Sequence, residues 1–186
     1  GVFYVVYDAQ LDTQANELQL LAINGETTRA IALSADDGFA SVYPDIGISE
    51  NGFAALTWFD AKDGNEEIYL AITPLADLLS GKAPQQLRIT HTDAASIGAY
   101  LAWNGARLAL VWCDAEQGQN ELYAQTFDEH GEGSAVRRLT ETQLQSSIPA
   151  IRPLRTGFGI AWNEYLLTGD GAHRDVVSSE ARVMIL

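Results

Sequence analysis

The chain has 186 residues, 47% of them hydrophobic, and carries 25 acidic against 11 basic side chains for a net charge of -14. That length suits one domain or at most two small ones, burying about 70% of the surface its unfolded form exposes, so no disulfide or metal staple is required. The composition excludes a disordered chain, no apolar run approaches the roughly 20 residues of a membrane helix, and the charge argues against nucleic acid, whose phosphates need clustered Lys and Arg.

In chain order, the first predicted strand is GVFYVVYD at 1–8, an apolar run closed by Asp8. The same pattern returns as GFAALTWFD at 52–60, ARLALVWCD at 106–114 and GFGIAWNE at 157–164, closed by Asp60, Asp114 and Glu164. The acids stand 52, 54 and 50 residues apart. A turn and a second strand follow each one: NELQLLAI at 16–23, EEIYLAIT at 66–73, NELYAQTF at 120–127 and SEARVMIL at 179–186. The loops between them are short and Gly-bearing in the middle units, which predicts hairpins. A third strand reads RAIALS at 29–34, QLRIT at 86–90 and RRLT at 137–140. A fourth opens the unit at Ser41 to Pro44, Ser96 to Ala99 and Ser146 to Pro149. The one helical segment expected is PLADLLSG at 74–81, started by Pro74 and capped by Gly81.

Four short strands recurring about every fifty residues predict an all-β chain, a β-propeller of about four antiparallel blades with three or four strands each. The repeat units run roughly 1–34, 41–90, 96–140 and 146–186 within a single domain spanning 1–186. Trp58, Trp112 and Trp162 stand two residues before the closing acid, with Val6 in that place in the first unit, and are expected to pack between blades. Cys113, the lone cysteine, is expected as a buried apolar side chain. The units contain 3, 4, 4 and 3 strands, because the first unit lacks an opening strand and the last lacks a closing one. A fragment of a six- to eight-bladed protein, a compact four-bladed ring, and a half-ring completed by a second chain all fit this count. Open strand edges template association, so self-association or a protein partner is expected.

The succession RLT, Ser-x-x-Pro, a Gly-led apolar strand and Asp-x-x-x-Gly-x-x-Glu resembles TolB-type propeller repeats. It is clearest over residues 86–127 and weaker over the rest of the chain. The resemblance implies a bacterial, extracytoplasmic propeller used for binding. Its Ser-Pro-Asp-Gly turn is replaced here by Trp103-Asn104-Gly105, Asn51-Gly52 and Thr156-Gly157.

Candidate chemistry is sparse. Asp60, Asp63, Asn65 and Glu67 bring oxygen ligands of the kind calcium takes, but without the alternating spacing of a calcium loop; turn-capping is the favoured role for the acid. Those recurring acids also predict a negative rim that favours basic partners or cations. His91, His130 and His173 fall in separate loops, which argues against zinc, and neither a phosphate loop nor a Gly-x-Ser-x-Gly elbow is present. No cofactor is expected beyond the weak calcium candidate. Two sets of binding residues are expected: Asp45 and Tyr100 on the opening strands, and Tyr165, Leu166, Leu167, His173 and Arg174 in a long loop at 165–178. The leading expectation is a non-catalytic propeller that binds a protein or surface ligand. The alternatives are a carbohydrate-binding or glycosidase-like propeller assisted by calcium, and a structural piece of a larger bacterial surface protein.

Overall fold

A computed structural model describes residues 1–10, 15–169 and 175–186. The chain is a β-propeller of four antiparallel sheets. Blade 1 comprises β1 (Phe3–Ala9), β2 (Glu17–Asn24) and β3 (Thr27–Ala32); blade 2 comprises β4 (Ser41–Ile48), β5 (Phe53–Asp60), β6 (Glu67–Pro74) and β7 (Leu87–Arg88). Blade 3 comprises β8 (Ser96–Asn104), β9 (Arg107–Asp114), β10 (Glu121–Phe127) and β11 (Arg137–Arg138); blade 4 comprises β12 (Gln145–Pro153), β13 (Phe158–Thr168) and β14 (Asp175–Ile185). Within each blade the strands pair in sequence order, as short hairpin connections dictate. Gly105 takes φ 59° in the β8–β9 turn, a conformation that a side chain would strain. Helix α1 (Leu75–Ser80) fills the predicted segment and ends on Gly81 in the left-handed region.

In blades 2 and 3 the middle strands are apolar on both faces because both are covered. One face meets the preceding blade and the other the following blade. Leu18 and Leu20 of blade 1 pack on Leu56 and Trp58 of blade 2; Ile68 and Leu70 of blade 2 pack on Leu110 and Trp112 of blade 3; Val111 and Leu122 of blade 3 pack on Ile160 and Trp162 of blade 4. The three tryptophans thus fill the inter-blade seams as expected, and Cys113 is buried among them, its thiol pushed up to about 12 by desolvation.

Blade 1 departs from the expected register by one residue. Asp60 pairs with Glu67 and Asp114 with Glu121, whereas Glu17 faces Ala9. The counterpart of Asp60 is therefore Ala9, and that of Trp58 is Tyr7, in place of Val6. A one-residue slip moves every side chain to the other face. Tyr4 and Val6 accordingly face blade 2, while Phe3, Val5 and Tyr7 point outward. Asp8 leaves the repeat pattern and accepts hydrogen bonds from Asn16 Nδ2 at 2.9 Å and Tyr43 N at 3.2 Å.

The recurring acids gather at one end of the strands, but they do not form the negative rim predicted for them. Asp60, Glu67, Asp114, Glu121, Glu164 and Glu17 are buried. Asp60 accepts from Ser41 Oγ at 2.8 Å and from Lys62 N at 2.8 Å; Asp114 accepts from Ser96 Oγ at 2.7 Å and Glu116 N at 2.7 Å. These bonds bolt the opening strand to the middle hairpin and cap its turn. The downstream Glu forms a second bolt. Glu67 takes the Thr90 hydroxyl and Arg88 Nη2 at 2.9 Å, and Glu121 takes the Thr140 hydroxyl and Arg138 Nη2 at 3.3 Å.

Blade 1 keeps the Glu and loses its cation. Pairing of Gln19 with Ala32, against Tyr69 with Arg88 and Tyr123 with Arg138, puts Ala32 where the arginines stand. Glu17 holds the Ser34 hydroxyl, and its other oxygen, Oε1, is buried without a partner among the described residues. Burial, opposed by the Ser34 bond and reinforced by Asp37, Asp36 and Asp60, raises its carboxyl above the ordinary 4.5. Stability from the neutral acid is full below that ordinary value and is lost as pH rises through the raised one. Glu17→Gln is therefore expected to raise the thermal midpoint at pH 7, with the gain disappearing in acid. Ala32→Arg should stabilise the neutral-pH fold by about 1 kcal/mol by restoring the missing pair. Paired thermal melts at the two pH values test both.

Candidate functional site

The opening strands β4, β8 and β12 line the inner edge of blades 2, 3 and 4. All three break register at the same place: between Val42 and Asp45, Ile97 and Tyr100, and Ser147 and Ala150. In β4 and β12 the bulge follows from proline, whereas β8 has Ala99 at that place and turns on Gly98. Pro44 and Pro149 have no N–H for the ladder, so pairing must lapse there. At its apex Tyr43, Gly98 and Ile148 take φ values of 53°, 63° and 54°. Glycine adopts this region freely. A tyrosine, and still more a β-branched isoleucine, does so at a cost of roughly 1–3 kcal/mol, and such residues cluster at functional sites.

These apices surround a groove of about 300 Å³ lined by Tyr43, Phe59, Ile97, Tyr100, Ile148 and neighbouring small residues. Tyr43 is 70% exposed and Ile148 59% exposed, so neither is held in place by core packing. Tyr43 stacks on Phe59 with ring centroids 5.2 Å apart and planes 11° from parallel. Cys113 lies at the groove floor.

Two residues after each apex come Asp45, Tyr100 and Ala150, which are equivalent positions on adjacent strands. Asp45 and Tyr100, the expected inner-strand pair, are thus brought to one level of the channel wall. Asp45 Oδ2 accepts from Leu101 N of the next blade at 3.0 Å, and Oδ1 from Ile46 N at 2.9 Å. Burial raises its carboxyl; the two backbone bonds and Arg152 of β12 oppose the shift. Arg152 is exposed. Among the residues of these three strands Asp45 is the one carboxylate and Arg152 the one cation.

The expected long loop at 165–178 is mostly not a loop. Tyr165, Leu166 and Leu167 belong to β13 and pair with Ser179, Ser178 and Val176 of β14. Leu167 opposite Val176 and Thr168 opposite Asp175 carry the ladder beyond the blade, giving a two-stranded ribbon. It leaves the blade next to the Ser146–Glu164 pair, at the same strand ends as the bulges. Tyr165 and Leu167 line a separate cavity of about 220 Å³ with Gln119, Gln143 and Gln145. They are not part of the groove. His173 and Arg174 lie outside the described residues.

Each of the four calcium candidates has partners within the protein. Asp60 serves Ser41 and Lys62, Asp63 takes the Tyr69 hydroxyl and an Arg88 ion pair at 3.3 Å, and Glu67 takes Thr90 and Arg88. Asn65 Nδ2 donates to the carbonyls of Thr92 at 3.1 Å and Ala94 at 2.6 Å. The chemistry of this cluster is structural, and among the described residues no group of three or more His, Cys, Asp or Glu side chains is gathered to hold a metal. Sequence reading did not single out the groove residues Tyr43 and Ile148. The recurring Ser-x-x-Pro was their signal, since a proline inside a strand marks a bulge.

No protein-family model matches the chain, and no curated protein does. Solved structures match it over its whole length. An α-L-arabinanase of Penicillium chrysogenum, solved with arabinobiose, superposes with a TM-score of 0.70 at 12% identity, covering 99% of this chain and 59% of that one. The GH93 α-L-arabinofuranosidase of Fusarium graminearum, also with arabinobiose, gives 0.66 at 12% identity, covering 98% and 59%. An endo-arabinase of Bacteroides thetaiotaomicron gives 0.58 at 10% identity, covering 100% and 71%. The chain thus spans about three-fifths of the first two enzymes, and the likeness establishes a shared propeller fold. It also corrects the expectation of a non-enzymatic protein-binding module. The propellers that this chain matches from end to end are glycosidases by name, so the fold is no argument against catalysis.

Proposed function

We propose that the chain is a glycosidase-like propeller that takes a saccharide in the groove at the inner-strand bulges. The observation that carries this reading is the pair of strained, solvent-facing side chains, Tyr43 and Ile148, held around a cavity of about 300 Å³ beside Tyr100. A sugar offers C–H faces to aromatic rings and hydroxyls to a few polar groups, and this groove has both. Tyr43 and Tyr100 supply rings and phenolic hydroxyls. Asp45 and Arg152 stand on β4 and β12, with β8 between those strands, and each Asp45 oxygen accepts one backbone bond and keeps a lone pair for a sugar hydroxyl.

Glycoside hydrolysis works through two carboxylates, one of them kept protonated near working pH. Asp45, with its raised carboxyl, suits the protonated role. The three inner strands hold no second acid, and the reading rests on saccharide binding. The similarity to arabinobiose-bound enzymes makes arabino-oligosaccharides the first ligands to test.

Titration calorimetry with arabinobiose and longer arabino-oligosaccharides should show binding. Tyr100→Ala and Tyr43→Ala should each weaken it about tenfold or more, an increment of about 1.4 kcal/mol. Asp45→Asn should abolish any sugar release while leaving binding within a few-fold. Absence of binding across a panel of plant and bacterial saccharides would sink the reading.

A further inference from the structure

Because the blades repeat, a side chain in one blade shows what the same place in another is shaped to hold. In blade 2, Lys62 follows the closing acid by two residues and folds back over its own hairpin. Its Nζ stands 4.1 Å from the centroid of the Tyr69 ring, 3.6 Å from Asp60 Oδ2 and 2.8 Å from Gln86 Oε1. An ammonium over a ring face, with a carboxylate beside it, is a cation–π site with its counter-ion.

Blade 3 rebuilds that place without the lysine. Register puts Asp114 at the position of Asp60, Tyr123 at that of Tyr69 and Val136 at that of Gln86. Glu116 takes the position of Lys62 itself. All four line a cavity of about 140 Å³, closed on its far side by His91 and Thr92 of the β7–β8 link. The floor is the same in both blades: the Tyr69 ring stacks on Trp58 at 5.7 Å and the Tyr123 ring on Trp112 at 6.2 Å. The cavity belongs to the seam between blades 2 and 3, with a further blade on either side, and shares no residue with the groove at the bulges.

Charge sharpens the contrast. Blade 2 gathers Asp60, Asp63 and Glu67 around two cations, Lys62 and Arg88. The matching part of blade 3 holds three acids, Asp114, Glu116 and Glu121, around Arg138. It is short of one positive charge. In blade 4 the closing acid Glu164 has Arg182 at 3.4 Å, whereas Asp114 pairs with no cation among the described residues. Its carboxylate and that of Glu116 are not gathered with a third ligand to hold a metal, and the ring face suits an organic cation.

We propose that the blade 3 cavity binds a primary alkylammonium group, its nitrogen over the Tyr123 ring beside Asp114 and Glu116 and its alkyl chain against Val136. At about 30 Å³ for each water-sized group, the cavity takes about four or five heavy atoms, the size of butylammonium or of a lysine side chain. The mouth is open to such a ligand, since Glu116, His91 and Val136 are exposed. The site is independent of the saccharide reading, and either stands if the other fails.

The test is a titration of the 186-residue chain with n-butylammonium chloride against sodium chloride at equal ionic strength, reading the thermal midpoint and the NMR signals of the Tyr123 ring. The amine should raise the midpoint beyond the salt control and shift the Tyr123 signals; 1-butanol, of the same shape without the charge, should do neither. Glu116→Lys supplies the ammonium from the chain itself, as in blade 2, and should weaken amine binding at least about tenfold. Glu50→Lys makes the same charge change at an exposed turn and should leave binding within about twofold. Lys62→Ala should open a second site, so that the Tyr69 signals respond to the amine as well. Nα-acetyl-lysine amide and putrescine then separate a protein lysine from a free amine as the source, whichever binds more tightly. A butylammonium effect no larger than that of salt or butanol overturns the proposal. So does binding that survives Glu116→Lys, or a Tyr69 ring in Lys62→Ala that ignores the amine.

Discussion

Trp112→Ala is expected to cost the fold about 3–5 kcal/mol, the range for deleting a large aromatic from a packed core. The indole is buried in the seam between blades 2 and 3, among Leu70, Leu110 and Leu108, and its ring stacks on Tyr123 with centroids 6.2 Å apart. Both sheets reach this ring across a seam they share, so neither can relax into the space without separating from the other. Urea unfolding reads the effect as a fall in midpoint with little change in slope. Tyr7→Ala supplies the control. Tyr7 occupies the same repeat position on the uncovered face of blade 1, and in dilute solution its loss should cost under about 0.5 kcal/mol. Equal costs at the two positions would mean that the seam does not hold the blades together in the way described.

Glu121→Ala should be nearly as damaging, at about 3 kcal/mol. The carboxylate is buried and holds the Thr140 hydroxyl, Thr142 N at 2.9 Å, and Arg138. Removing it leaves a hydroxyl and a backbone N–H buried without an acceptor, which is the expensive part. Arg138 is 31% exposed and can turn back to water, which places the cost at the lower end of the range for broken buried pairs. The same change at Glu17 should be far milder, because among the described residues that carboxylate accepts from the Ser34 hydroxyl alone and its other oxygen is buried unpartnered. Chemical denaturation of the two variants side by side tests the contrast; similar losses would refute the weight given to the Thr140 and Thr142 bonds.

The sequence shows why a repeated acid is easily misread. Asp60, Glu67, Asp114 and Glu121 recur at fixed spacing, and recurrence points to structure over ligand binding. That reading was available from spacing alone, and the bonds from Ser41, Thr90, Ser96 and Thr140 bear it out. Their effect on the surface field was not available. A formal charge counts the same whether it faces water or a buried hydroxyl, so composition overstates the negative rim. The proposed groove was legible in one lining residue: Tyr100 lines it, and Asp45 holds the matched position on the opening strand of the neighbouring blade. Tyr43 and Ile148 were legible only as residues preceding a proline, since the left-handed backbone that turns them into the groove comes from the bulge.

The sequence by itself determined the number of strands, their order, the hairpins that join them and the blades they form. Each of these follows from local periodicity and turn chemistry repeated about every fifty residues. The tertiary structure decided which face each side chain takes, through cross-strand pairing: Ala9 opposite Glu17 puts Tyr7 where Val6 was expected. It likewise decided that residues 165–168 continue a strand, because Leu167 finds Val176 across the ribbon. Register and strand length are properties of two segments in contact, so neither segment carries them alone.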